Sequence, residues 1–155
     1  MALFKKILFP VDLSEASSKI VPYVREAMDK FDAELHVVYV VHVTQYYAGL
    51  DMAAEYIGDV ESDIRAGAEK KIDEFLETFF KDHSVQHKIL SGRPGNEVLR
   101  YAESKGIDLI IMGHSSTGIG RAVFGSVAGY VVKYSHAPVL VISSGILENK
   151  EKNTC

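Results

Sequence analysis

Several things are scarce in this sequence, and each shortage excludes something. Its single cysteine, Cys155, ends a polar tail. One thiol cannot close an internal disulfide, so the cytoplasm is the natural compartment. There is no tryptophan and no run of Lys or Arg, and the formal net charge is −4. A nucleic-acid surface needs clustered cations, so no nucleic-acid partner is expected. No apolar run approaches the roughly 20 residues that span a bilayer. The opening "MALFKKILFP" sets its lysines inside the apolar segment, unlike a secretory signal, so no membrane partner is expected either. Gly-x-Gly-x-x-Gly does not follow the first apolar run, and Gly-Lys-Ser/Thr occurs nowhere, which excludes a dinucleotide-type first turn and a Walker A loop.

What is present is enough apolar material for a sizeable core. Of 155 residues, 47% are hydrophobic and 25% charged, which fits one domain over residues 1–145 with a polar tail over 146–155. Short apolar runs alternate with long amphipathic stretches. Lys6–Val11 reads as a buried strand. Ile20, Val24, Ala27, Met28 and Phe31 then share one helical face, behind a cap at Asp12 or Ser14. Pro22 is awkward there, and belongs either in the first turns or at a kink. Glu34–Val43 is a Val-rich strand, and the pattern Val60, Ile64, Ala68, Ile72, Phe75, Leu76, Phe79 predicts a helix from about residue 58 to 81. Val85–Leu90 is more polar and is a candidate sheet edge. A short helix stopped by Gly106, a strand at Asp108–Gly113, a helix over Ser126–Tyr134 and a strand at Pro138–Ser143 complete the chain.

Strands joined by helical crossovers predict an α/β fold, an open doubly wound five-stranded parallel sheet with helices on both faces. The flavodoxin-like order and its relatives suit five strands. Ligands of such sheets sit beyond the carboxyl ends of the strands, where the winding reverses. The informative residues are therefore Asp12, the neighbours of Val43, Ser91–Pro94, Gly113–Ser126 and Ser143. Pro10 fixes φ near the end of the first strand, and Asp12 faces the crevice as a helix cap, a ligand contact or both. The fourth strand runs into "MGHSSTGIGRAVFGS", Met112–Ser126. Glycines let backbone N–H groups approach an oxyanion closely, and a helix starting at about Gly125–Ser126 adds free N–H groups and the positive end of its dipole. Ser115, Ser116, Thr117 and Ser126 offer hydroxyls, and Arg121 offers a charge. Two readings stand, a loose connection with a Ser cap or a phosphate cradle. Length favours the cradle, because such connections commonly need about 2–6 residues.

The segments "ILFPVDLSEAS", "GRPGNEVLRYAESKGIDLIIMG" and "GSVAGYVVKYSHAPVLVI" resemble, in order and spacing, the universal stress protein family, over about Lys5–Ile142. The resemblance implies strand order 3-2-1-4-5 and a cytoplasmic homodimer. It also implies that the last strand, with Val139, Leu140, Val141 and Ile142, pairs with its copy. One branch of the family binds ATP and another does not. Binders carry Gly-x-x-Gly, nine residues, then Gly-Ser or Gly-Thr. Gly113 matches the first glycine and Gly125-Ser126 the final pair, but eleven residues separate Gly113 from Gly125 where the family spacing gives twelve. The second glycine has no counterpart. Ser115 or Ser116 stands near its place, and Gly118 and Gly120 follow. By the same resemblance Pro10, Val11 and Asp12 match the segment at the adenosine end, and Val40 a position against which adenine lies. Met112 and Gly113 match the sugar and phosphate side, and Gly125, Ser126 and Val127 the helix start that holds phosphates. Ala128 stands where many binders have a hydroxyl.

The implied function is an ATP-binding (or ADP- or AMP-binding) stress-response module with Mg²⁺ as companion. The alternative is a nucleotide-free dimer acting through protein contacts, favoured by the shortened loop. Phosphoryl transfer needs a charged clamp, a metal site and a group that places the nucleophile. Asp12 and Arg121 are thin candidates, so no catalytic residue is assigned and slow hydrolysis is the most that is expected. His114 is either a hydrated loop side chain or a group titrating near neutral pH. His36, His42, His83, His87 and His136 show no metal-ligand spacing with Cys or carboxylates. An electron carrier is disfavoured because no hydroxyl-rich phosphate loop follows the first strand. A receiver domain is disfavoured because Asp12 has no acidic neighbour. His42–Asp59, apolar for a connection, reads as a satellite cluster over the sheet or as a lid or partner surface.

Overall fold

The computed structural model describes residues 2–41, 54–114 and 126–143, with the backbone alone at 54–58. The elements are β1 (Lys6–Val11), α1 (Glu15–Phe31), β2 (Glu34–Val41), α2 (Ala54–Phe79), β3 (Val85–Ser91), α3 (Pro94–Lys105), β4 (Leu109–Gly113), α4 (Ser126–Tyr134) and β5 (Val139–Ile142). The strands form one parallel sheet in the order β3-β2-β1-β4-β5. The polar strand at 85–91 is indeed an edge. The winding reverses between β1 and β4, which sets the crevice at the carboxyl ends of those strands.

Alternation along the strands divides the core in two. Ile7, Phe9, Leu35, Val37 and Ile111 pack with Val24 of α1 and Ile72 and Phe75 of α2. Leu8, Val38, Ile110 and Met112 pack on the opposite face with Val98 and Tyr101 of α3 and Val131 of α4. Both faces of the central strands are therefore dry, as continuous apolar runs require.

Ser14 is the N-cap of α1, its hydroxyl accepting from Ala16 N, and Asp32 in the left-handed region closes the helix. The choice between Asp12 and Ser14 as cap thus falls to Ser14. Pro22 lies well inside α1 and on its exposed side. There its missing N–H leaves the Ser18 carbonyl to water. Gly106, at φ +65°, caps α3 by donating to the Ala102 and Glu103 carbonyls.

Several boundaries differ from expectation, those of α2, β4 and β5 among them. Helix α2 begins at Ala54, so part of the supposed connection after β2 is helical. Strand β4 begins at Leu109 because Asp108 turns its carboxylate to accept from Lys5 N and Lys6 N, both at 3.0 Å. Strand β5 is shorter, Val139–Ile142. His42, Val43 and the tail at 146–155 lie outside the described residues.

Candidate functional site

The sharpest local feature is the turn from β1 into α1. Leu13 takes φ +61°, a region that costs a branched side chain energy and is held only where its surroundings demand it. The demand comes from Asp12. Its Oδ1 accepts from Ser14 N at 2.9 Å, Ser14 Oγ at 2.6 Å and Ser17 Oγ at 2.6 Å. Ser17 Oγ in turn accepts from Asp12 N at 3.1 Å and is buried. The Oδ2 atom has no hydrogen-bond partner among the described residues. Partial burial pushes the Asp12 carboxyl up, but hydrogen bonds from Ser14, Ser17 and the backbone outweigh it and hold the group below its ordinary 3.8. The result is a fixed carboxylate with one spare oxygen.

Asp12 borders a cavity of about 450 Å³ at the carboxyl ends of β1, β2 and β4, a size in the range of ligand pockets. Pro10, Val11, Asp12, Val40, Met112, Gly113, Ser126 and Val127 all line it. Eight residues drawn from four parts of the chain thus meet around one space. Ser115, Ser116, Gly118, Gly120 and Gly125, with Thr117 and Arg121, lie outside the described residues.

Ser126, which also borders the cavity, opens α4, whose first turn contains no acidic residue. The first-turn N–H groups and positive dipole end of a helix suit an anion. Val38, Val40, Val98 and Met112 supply apolar lining to the same cavity. The cavity thus combines a carboxylate acceptor, a helix start and apolar surface. Among the described residues, Asp12 is the one acidic side chain bordering it. Among the described residues, a metal ion there would have Asp12 Oδ2 as its only carboxylate and would need oxygens from the ligand.

Two positions acquire packing reasons. A Cβ at Gly113 would overlap Ile20 Cδ1, so the glycine lets the end of β4 lie against α1. Ala128 is buried in the α3/α4 core, where a hydroxyl would need a partner. Ser17, Tyr39, Val38, Pro94 and Val98 also line the cavity. Ser17 was not singled out from the sequence, although it sits one turn into the helix after Asp12. Val38 could have been found from its two-residue spacing to Val40. His114 also borders the cavity, and its backbone N–H donates to Ile142 O at 3.0 Å, tying the start of the glycine-rich segment to β5.

Comparison with known proteins agrees with this fold. The model of the universal stress protein family matches residues 3–143. The chain is 37% identical to universal stress protein MJ0531 of Methanocaldococcus jannaschii over 143 residues, covering 90% of this chain and 82% of that one. It is 31% identical to universal stress protein MJ0577 of the same organism, covering 90% and 95%. Among solved structures, that of MJ0577 superposes with a TM-score of 0.77 at 28% identity, covering 91% of this chain and 96% of the other. UspA from Lactobacillus plantarum gives 0.67 at 25% identity, covering 90% and 97%.

Proposed function

Because the chain belongs to the universal stress protein family, we propose that its crevice binds ATP and that it acts as a homodimeric, nucleotide-responsive stress module. The observation that carries this is the meeting, around one cavity, of Asp12, an apolar wall and the start of α4. Each part suits a different part of a nucleotide. Val38, Val40 and Val98 accept a flat base. Asp12 Oδ2, spare and ionised, accepts from a ribose hydroxyl or joins a phosphate-bound Mg²⁺. The N–H groups at Ser126 and Val127 take phosphate oxygens. Bound Mg²⁺ would supply charge neutralisation between the phosphates. Phosphoryl transfer also needs a charged clamp, and among the described residues no Lys or Arg borders the cavity, so the reading favours occupancy over turnover, with at most slow hydrolysis.

The test is to denature purified protein and identify any nucleotide released, then to titrate emptied protein with MgATP in a calorimeter. ATP or ADP should be released from a sizeable fraction of chains. Asp12→Ala and Gly125→Val should each retain less. Nucleotide-free protein with no calorimetric response would overturn this reading. It would favour the second one, a nucleotide-free dimer, to which the loop one residue shorter than the family spacing points.

A further inference from the structure

Far from the crevice, helix α2 lies along the sheet edge formed by β3. One helical stripe, Arg65, Glu69 and Asp73, follows the strand at four-residue spacing. Arg65 reaches Ser91 Oγ at 3.2 Å and Ile89 O at 3.5 Å, which pins the stripe to the strand. One and two turns further along, Glu69 and Asp73 face His87. Its Nε2 lies 3.5 Å from Asp73 Oδ1 and 3.9 Å from Glu69 Oε2. One ligand atom from each of the three side chains falls within 4.8 Å of the other two. Register holds the imidazole there. Val37 pairs with His87 and Tyr39 with Ile89, and buried Ile89 anchors the same face of the strand.

We propose that Glu69, Asp73 and His87 form a binding site for a first-row divalent transition-metal ion such as Zn²⁺, joining α2 to the β3 edge. One imidazole with two carboxylates is a donor set that such ions favour and that Mg²⁺, which prefers oxygen alone, does not. Two ligands each about 2.1 Å from a tetrahedral ion stand about 3.4 Å apart, so the observed separations need only small side-chain adjustments. With the imidazole neutral, the two carboxylates leave net negative charge for a cation to neutralise. Arg65, the nearest cation on the stripe, is engaged with β3. Three protein ligands leave a fourth position to water. Linear spacing hides the site because a strand residue completes a pair on a helix.

The test uses the full chain carrying Cys155→Ser, so that its one thiol takes no part. Zn²⁺ is titrated against a chromophoric chelator with and without a large excess of Mg²⁺, and thermal unfolding is followed with and without Zn²⁺. One equivalent of Zn²⁺ should bind, Mg²⁺ should not displace it, and the unfolding temperature should rise. Glu69→Gln, Asp73→Asn and His87→Ala should each weaken binding about tenfold or more and abolish the thermal shift. His136→Ala, elsewhere on the surface, should leave both unchanged. Equal binding by the parent and all three variants, no binding by the parent, or ready displacement by Mg²⁺ would overturn the assignment.

Discussion

His36 is the buried titratable group with the most at stake. It is 1% exposed, with Nδ1 2.7 Å from Tyr101 Oη and Nε2 2.8 Å from Glu34 Oε1. A carboxylate can only accept, so the neutral imidazole carries its proton on Nε2 and accepts from the Tyr101 hydroxyl at Nδ1. Burial holds the imidazole below its ordinary 6.5, with Lys6 and Lys105 adding to the effect, while the Glu34 carboxylate opposes it. The unfolded chain therefore takes up this proton at a pH where the folded chain does not. The stabilisation is full above about 6.5 and is lost as pH falls through that value towards the folded pKa. In urea unfolding between pH 7.5 and 5, the parent should lose stability and His36→Gln should show a flatter slope. Equal slopes would remove His36 as the cause. At the crevice, Ser17→Ala removes a donor to Asp12 Oδ1 and an acceptor for Asp12 N. It should cost about 1–3 kcal/mol in unfolding and weaken MgATP less than Asp12→Ala does, as calorimetry would show. Asp12 was legible in the sequence because a carboxylate after a strand marks the crevice. Ser17 was not, because a buried serine early in a helix looks like any cap-region hydroxyl until its partner is seen.

The elements were legible where apolar periodicity was strong. β1, α4 and the Gly106 stop fall where expected, since uninterrupted apolar runs and a glycine C-cap leave few alternatives. The start of α2 was not, because Gly58, a poor helix former, stands just ahead of Val60 and reads as the point where the pattern begins. The strand order was carried by the family resemblance, since alternation alone also permits the flavodoxin-like order. The site was legible at its strand ends, whereas the phosphate side of the segment from Ser115 to Gly125 lies outside the described residues. Pro22 is the element-scale anomaly. It interrupts the hydrogen-bond ladder of α1 without serving its buried face, which Ile20, Val21, Val24 and Met28 supply. Pro22→Ala restores the bond to the Ser18 carbonyl at an exposed position and should stabilise the fold by about 1–3 kcal/mol, read from urea midpoints. An unchanged or lowered midpoint would mean that the proline's restriction of the unfolded chain outweighs the bond it removes.

At the scale of the whole molecule, the two edges of the sheet are unlike. β3 is lined by α2 and carries Gln86, His87 and Lys88, the polar dress that keeps an edge from pairing. β5, with the sequence VLVI, carries no such polar side chain. Leu140 is 45% exposed on the strand itself, and Val132 and Tyr134 are exposed on α4, which packs on the strand's other face. Four residues with an apolar exposed centre form an edge fit to meet its own copy. A closed pair of identical edges is related by a twofold axis, which makes the pairing antiparallel and sets residues near mid-strand opposite their own copies. A charge at Leu140 is thereby met by its twin, and like charges facing each other across a strand pair are unfavourable. Sedimentation should find the parent dimeric at micromolar concentration and Leu140→Lys monomeric. Leu3→Lys, equally charged but in the N-terminal segment ahead of β1, should remain a dimer. The described lining of the crevice includes no residue of β5, so monomeric Leu140→Lys should still bind MgATP with near-parent affinity. If affinity fell with dissociation, the partner chain would have to reach the site. A monomeric parent, or a Leu140→Lys dimer, would exclude β5 as the interface without touching the case for the nucleotide.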